Sequence, residues 1–360
     1  MSGRVTPVRI LGSLAASFVA WLVLRPLVGG GVAAILALGL GALALRYVPR
    51  AVLLRMLWTV PLFGLLLFVT VQLMFHVPGS PFASEKNTTE EVRKQQEELY
   101  GIPQKGFVGG CKFFGRYVHH LVADGTMGPC IKVQGRSVTD VLLPALPISF
   151  SLGLMALLLA TGAGLTLGVR AGLRPNTLTD YGSMGFAILG VSLPSFVIGA
   201  MLMVVFALGK PWSWFPVAGW GSFGHIVLPA VALAMPYAAY IARLARSGTI
   251  EVMNQDFVRT ARAKGLPERE VVMKHALRGA IVPVVSFLGP AAAGIVAGSF
   301  VVETLFGIPG IGRWFVNGAV NRDYYVVLGT VILECALVTA FNLIVDLAMP
   351  LLDPRLRGKA

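Results

Sequence analysis

Charged side chains are scarce in this sequence of 360 residues. Asp, Glu, Lys and Arg make up 13% of the chain, about half of the roughly 25% that is usual in soluble domains. Hydrophobic residues make up 56%. This balance excludes a soluble multidomain protein and a disordered chain, and 42 glycines fall far short of the third that a collagen requires. A protein with several membrane spans remains.

Cysteine and histidine are also few, with three and five residues, and their spacing fits no zinc or haem motif. Cys111 and Cys130 share a hydrophilic segment, where they could form a disulfide in an oxidising compartment or stay unpaired. Both alternatives remain open. The side chains of the adjacent His119 and His120 should diverge, so we expect no metal site there.

Sequence motifs of two other functional classes are missing. The chain contains no G-x-x-x-x-G-K-[ST] loop, so we expect it not to bind ATP. It also contains neither H-E-x-x-H nor G-x-S-x-G, the motifs of zinc proteases and serine hydrolases. We therefore predict no covalent chemistry on this chain.

Long apolar runs recur along the chain. A membrane helix needs about 20 apolar residues, and eight runs approach or exceed this length. The first two could instead form a tight hairpin or a single tilted element, which would leave six core spans. The predicted spans are Ile10–Leu24, Leu27–Leu45, Met56–Phe75, Leu146–Val169, Tyr181–Leu208, Gly224–Ile241, Ile281–Val302 and Val326–Met349.

The net charge of +13 follows the predicted topology. If the N-terminus is cytoplasmic, 18 of the 30 Lys and Arg residues lie in inside segments and four in short outside loops. The other eight lie in the long outer segment His76–Asp140, which contributes little to orientation. This asymmetry predicts that both termini are cytoplasmic and that the basic excess does not indicate nucleic-acid binding.

The inside segment Ala242–Ala280 is too long for a simple turn. Within it, Asp256–Lys264 predicts a short helix on which Phe257 and Ala261 share one face. Gly265 suits the left-handed position that ends a helix, and Pro267 suits the start of the next. Such a helix could dock in a groove of a partner protein or lie on anionic lipid. Physical reasoning alone favours neither.

Polar and irregular positions within spans are candidates for a substrate pathway. Pro194, which Ser195 follows, should kink the fifth span. The kink either lines a cavity or only serves the packing of the helices. Glu334 is the one charge that we place in the middle of a span. Such a carboxylate either has a function or is protonated or paired locally and packs against a partner protein. Gly164-x-x-x-Gly168 and Gly294-x-x-x-Gly298 indicate close helix packing.

The sequence DFVRTARAKGLP, from Asp256 to Pro267, is followed by Lys274-His-Ala-Leu-Arg278 and Pro283. Together these residues resemble the cytoplasmic signature loop of ABC-transporter permeases, in particular the dipeptide/oligopeptide/nickel permease group. The segment GSFVVETLFGIPGI beginning at Gly298 agrees. From Asp256 onward the chain is most similar to the first of the oligopeptide permease subunits, and the resemblance is weak across the outer segment.

The resemblance implies an all-α membrane helical bundle with six core spans, here with a probable extra N-terminal pair. It implies a transport subunit, not an enzyme, in a bacterial inner membrane. The implied partners are a second homologous permease, two ATPase subunits that hold the ATP and an extracytoplasmic binding protein. The residues implied to contact the ATPase are Asp256, Arg259, Thr260, Ala261, Gly265 and Leu266.

The expected organisation has five parts: an extra apolar segment at 1–45, a first family span at 46–75, an extracytoplasmic segment at 76–140, a core domain at 141–352 with its coupling loop at 245–280, and a tail at 353–360. We expect import of peptides or similar solutes. The alternatives are a secondary transporter without an ATPase, or a membrane scaffold that does not transport.

Overall fold

The computed structural model describes residues 13, 14, 16, 17, 20, 21, 24, 25, 30–47, 50–82, 90–209 and 213–352. The described residues form helices and connecting loops, without a β-strand among them. In chain order the helices are α1 Gly30–Tyr47, α2 Arg50–His76, α3 Glu90–Leu99, α4 Phe107–His119, α5 Val138–Leu142, α6 Leu146–Leu173, α7 Leu178–Ser192, α8 Ser195–Met203, α9 Phe223–Met253, α10 Asp256–Ala263, α11 Glu268–Glu270, α12 Leu277–Ala280, α13 Val282–Leu305, α14 Ile311–Asn321 and α15 Tyr324–Leu352.

Five helices in the described part of the chain are long and apolar enough to cross a membrane, and a bent pair raises the number to six. Helices form here because a lipid environment leaves backbone groups no partners except those of their own helix. The predicted all-α class is thus confirmed, and five of the six predicted core spans are long helices. The first predicted span, Ile10–Leu24, lies mostly outside the described residues, and the second corresponds to α1. The five long helices are Leu53–His76, Leu146–Leu173, Phe223–Met253, Val282–Leu305 and Tyr324–Asp346.

The predicted fifth span is the largest departure. Instead of one kinked helix over Tyr181–Leu208, the chain forms α7 and α8, bent by 104° at the break between them. Leu193 is extended, with φ −101° and ψ 130°, because a proline clashes with a helical residue before it. A π-helical turn, Val204–Leu208, continues α8.

The model divides into two compact units, the first comprising the described residues of Met1–Pro147 and Gly310–Thr339. Its core forms because apolar residues recur every three or four positions on each helix, which places them on one face. The centroid of the Phe75 ring lies 5.3 Å from the ring centroid of Phe113 and 5.2 Å from the ring centroid of Tyr324. The residues of this core include Leu67, Val71, Phe75, Phe113, Tyr117, Tyr324, Leu328 and Ile332.

Buried Asp323 fixes the loop of the first unit that follows α4. Its Oδ2 accepts hydrogen bonds from the backbone N–H groups of Ile131 at 2.8 Å and Lys132 at 3.1 Å. Its Oδ1 accepts one from Val326 N–H at 3.2 Å, which caps the start of α15. In the outer segment, the chain forms the two helices α3 and α4.

The second unit comprises the described residues of Ile148–Pro309 and Ala340–Lys359, and α9 lies at its centre. Glycines at every fourth position of α6 allow α9 to approach closely. A Cβ on Gly164 would lie 2.7 Å from the Ala238 carbonyl oxygen, and one on Gly168 would lie 2.3 Å from that of Ala242. The packing role predicted for this glycine pair is confirmed.

Candidate coupling loop and pathway residues

Helix α10 and the turn after it form as the sequence predicts. Asp256 lies in the first turn, where the helix dipole favours a carboxylate. Gly265 has φ +77°, which confirms its predicted left-handed conformation. Its N–H donates to the Arg262 carbonyl at 2.9 Å, and Leu266 N–H donates to that of Ala261 at 3.4 Å. These bonds satisfy carbonyls that the helix end leaves open.

An ion pair spans this turn. Arg262 donates through Nη2 to Glu268 Oε1 at 2.6 Å and through Nε to Oε2 at 3.1 Å, which is a bidentate arrangement. These hydrogen bonds hold the pKa of the Glu268 carboxyl below its ordinary value. Pro267 precedes α11 as expected, and its carbonyl accepts from Glu270 N–H at 2.8 Å.

The packed face of α10 differs from the prediction. The buried residues are Val258 and Ala261, which pack with Val271, whereas the Phe257 side chain is 49% exposed. Residues three apart share a face as readily as residues four apart, and the position of Val271 selects the 258/261 pair. The prediction that Phe257 and Ala261 share one face is therefore wrong.

The six residues expected to contact an ATPase divide into two sets. Asp256, Arg259, Thr260 and Gly265 are exposed, while Ala261 is buried and Leu266 packs against the Val258 cluster. Ala261 and Leu266 thus hold α10 against the rest of the loop instead of offering surface. Phe257 joins the exposed set. The result is a short helix anchored on one face, with an aromatic ring and charges on the other.

Pro194 and Ser195 lie at the break between α7 and α8. Pro194 precedes α8, and its carbonyl accepts from Val197 N–H at 3.0 Å and Ile198 N–H at 3.1 Å. Ser195 is half-buried, and a Cβ on Gly298 would lie 4.0 Å from its Oγ. The break gives an irregular backbone near α13 of the same unit. A pathway role for the two residues stays a prediction.

Glu334 belongs to the first unit, where it lies on the wall of a cavity of about 790 Å³. It is not the only carboxylate within an apolar helix. Glu303, near the end of α13, is fully buried, and the sequence interpretation missed it because it lies at the predicted boundary of its span.

Cys111 and Cys130 do not form a disulfide in the structure, because both cysteines are free. The alternative in which they pair is therefore wrong. Gln72 Nε2 lies 3.5 Å from the Cys111 sulfur. The Cys130 thiol donates to Asp323 Oδ2 at 3.3 Å. Burial, with a smaller effect of the Asp323 carboxylate, raises the pKa of Cys130 to about 11. Different neighbours therefore hold the two sulfurs.

The two adjacent histidines also differ from expectation. The ligand atoms of His119, His120 and Asp124 all lie within 4.8 Å of one another, because a π-helical turn follows α4. The prediction that the two rings diverge is wrong. All three side chains are exposed and His120 already pairs with Asp124, so the grouping does not by itself indicate a metal site.

A buried ion pair escaped the sequence interpretation. Asp180, at the start of α7, is 2% exposed and accepts from Arg246 Nη2 of α9 at 2.7 Å. It also accepts from Asn176 N–H at 2.9 Å. The partners are 66 residues apart in sequence, so no local pattern could reveal the pair. It joins two helices of the second unit next to the candidate coupling loop, which follows α9.

Comparisons with known proteins found matches to one family model and to several relatives. Residues 164–358 match the family model of the binding-protein-dependent transport system inner membrane component. The chain is 42% identical to the oligopeptide transport system permease protein OppB of Salmonella typhimurium over 312 residues, 86% of this chain and 99% of that protein.

Two further proteins are similar. The dipeptide transport system permease protein DppB of Bacillus subtilis is 42% identical over 291 residues, 80% of this chain and 92% of the relative. A solved amino acid ABC transporter with histidines has 16% identity and a TM-score of 0.45, covering 60% of this chain and 94% of its own.

Proposed function

Because the chain belongs to the family of binding-protein-dependent transport system inner membrane components, we propose that it is the permease subunit of an ATP-driven importer of peptides. It is a multi-pass membrane protein, and its relatives are permease subunits of oligopeptide and dipeptide transport systems. The identity of 42% to both kinds of relative supports peptides as the class of solute.

One observation carries the coupling step of this proposal. Helix α10 is anchored through buried Val258 and Ala261, so its exposed face can transmit force to the rest of the chain. That face presents Asp256, Phe257 and Arg259. An exposed aromatic ring beside charged groups fits the groove of a partner protein. We therefore assign the ATPase contact to this face.

The partners follow from the proposed role. A second homologous permease would complete the pathway, two ATPase subunits would bind and hydrolyse ATP, and an extracytoplasmic binding protein would deliver the solute. This chain would hold no cofactor, since it lacks the phosphate-binding loop that ATP hydrolysis by such proteins requires. Both termini would face the cytoplasm of a bacterial cell, as the distribution of basic residues favours.

Reconstitution of the complete complex in liposomes tests this function. We expect uptake of a labelled pentapeptide that requires ATP, both ATPase subunits and the binding protein. Phe257→Ala should reduce uptake and weaken co-purification of the ATPases. The control is Met273→Ala, an exposed apolar residue of the same loop outside α10. Uptake by this chain alone, driven by an ion gradient, would instead identify a secondary transporter.

A further inference from the structure

A cavity of about 790 Å³ lies within the first unit. This volume falls in the range of sites that enclose drug-sized ligands. Most of its wall is apolar and comes from α2 and α15; examples are Leu62, Leu66, Val327 and Val331. Thr59 and Thr70 also line it, but their hydroxyls donate to carbonyls of their own helix. Among the lining residues, one is basic, Arg322, and one is acidic, Glu334.

Arg322 occupies a conformation that normally selects glycine. It caps the end of α14 with φ +58°, a left-handed geometry that costs an L-residue about 1–2 kcal/mol. Its Nη2 donates to the Pro78 carbonyl at 2.8 Å. A Cβ on Gly79 would lie 2.7 Å from the Arg322 Cζ, so the guanidinium lies directly against this glycine. A strained residue held this firmly by its surroundings points to a use for its side chain.

Tyr324 lies beside Arg322 in the cavity wall and is 1% exposed. Its hydroxyl has no hydrogen-bond partner among the described residues, which is costly for a buried donor. Arg322 offers further N–H donors besides the one bonded to Pro78. The pKa of nearby Lys105 is lowered, mainly because the side chain is partly buried and also because Arg322 is positively charged. Glu97 is the acidic neighbour of this cationic end. Unused donors beside a fixed cation fit a carboxylate.

Glu334 lies at the other end of the lining. It follows Tyr324 by ten positions on the same helix, a rise of about 15 Å. An extended peptide advances about 3.3 Å per residue, so four or five residues span this distance. A carboxylate in an otherwise apolar wall is costly without a cation, and a peptide α-ammonium would supply one.

We propose that this cavity binds an extended peptide of four or five residues, with its C-terminal carboxylate at Arg322 and Tyr324 and its α-ammonium at Glu334. The proposal rests on the proposed function, since it assumes a peptide as the solute. A phospholipid would also suit the cationic end and the apolar wall. However, its acyl chain would then lie against the Glu334 carboxylate, and we therefore favour the peptide.

Binding of three pentapeptides to the nucleotide-free permease–ATPase complex in nanodiscs, without the binding protein, tests the assignment. The probes are penta-alanine, its N-acetyl form and its C-terminal amide. In the wild type, we expect each blocked peptide to bind at least about tenfold more weakly than the free one, the effect of losing a charged hydrogen bond. Glu334→Gln should weaken binding of the free peptide and remove the discrimination against the N-acetyl form only. Tyr324→Phe should reduce the discrimination against the amide only.

Tyr325→Phe is the matched control, because the Tyr325 hydroxyl donates to the Tyr100 carbonyl and does not line the cavity. It should leave all three affinities unchanged. Equal effects of Glu334→Gln on all three peptides would indicate a structural role and overturn the proposal. A co-purified phospholipid that Tyr324→Phe releases, with peptide affinities unchanged, would identify a lipid site instead. If the wild-type complex imports no peptide, the proposed function itself is wrong. If it imports peptides but the variants bind the three pentapeptides as the wild type does, only this site is wrong.

Discussion

At the residue scale, Gly265 isolates the backbone requirement of the coupling loop. Its φ is +77°, and no atom lies within 4 Å of where a Cβ would be, so a new side chain would meet no neighbour. Gly265→Val should therefore act only through backbone strain, about 1–2 kcal/mol for an L-residue. We expect ATP-driven uptake to fall by roughly tenfold with a normal amount of protein in the membrane, measured with labelled peptide.

Gly265→Asn is the matched control for this prediction. Asparagine tolerates the left-handed conformation better than other L-residues with a side chain, so uptake should stay near the wild-type rate. If the two variants fail equally, an exposed side chain at this position obstructs the partner and the backbone argument does not hold.

The Arg262–Glu268 pair predicts a pH dependence of the same turn. Because Arg262 lowers the pKa of Glu268 in the folded loop, the stabilisation is complete above the ordinary pKa of glutamate and is lost as the pH falls through the lowered value. Hydrogen exchange of peptides covering 255–275, corrected for intrinsic rates, should show weaker protection at pH 4 than at pH 7. The change should be less than about fivefold, because the pair is exposed to solvent.

The variant Glu268→Gln distinguishes the effect of this pair from that of a neighbouring ion pair, in which Lys274 Nζ lies 2.5 Å from Glu270 Oε1. The variant should lose protection at pH 7 and show a smaller change between the two pH values. An unaltered pH dependence in Glu268→Gln would assign the effect to Glu270.

At the element scale, the contact of α6 with α9 depends on glycines. A Cβ on Gly168 would lie 2.3 Å from the backbone oxygen of Ala242, and a backbone atom cannot move without shifting its helix. We expect Gly168→Ala to lower the thermal unfolding temperature of the purified protein in detergent, with a cost in the range of about 1–3 kcal/mol for overpacking.

Gly162→Ala tests the same substitution on the same helix where nothing lies within 4 Å of the added Cβ. Alanine has the higher helix propensity, so this control should be neutral or slightly stabilising. Equal destabilisation by both variants would show that the close approach of α6 to α9 does not limit stability.

At the scale of the whole molecule, the charge asymmetry predicts topology. A chain with Cys111, Cys130 and Cys335 replaced by Ser accepts single reporters at two exposed positions, Gln104 and Lys264. A membrane-impermeant maleimide added to intact spheroplasts should label Gln104→Cys and leave Lys264→Cys unlabelled until the membrane is opened. The reverse pattern would contradict cytoplasmic termini.

The proposed orientation also decides how the two sites of this chain would be used. Residues of α10 would face the ATPases inside the cell, and the Arg322 end of the cavity would lie nearer the outside. A peptide would then meet the cationic end first and place its ammonium deeper, at Glu334.

The amino-acid sequence by itself determined the membrane class, five of the six core spans and the turn at Gly265. Apolar runs, basic residues and glycine conformation are local properties, so they can be read without knowing what packs against what. The same holds for the Gly164-x-x-x-Gly168 packing signal and for the loop motif that resembles this permease family.

Only the tertiary structure decided which faces are buried and which distant groups meet. Val271 selected Val258 over Phe257 as the packed residue of α10, and separate neighbours for Cys111 and Cys130 replaced the disulfide. Asp180 met Arg246 across 66 positions, and Arg322 came to share a cavity with Glu334. Each outcome depends on contacts between residues far apart in the chain, which hydrophobic periodicity and local motifs do not encode.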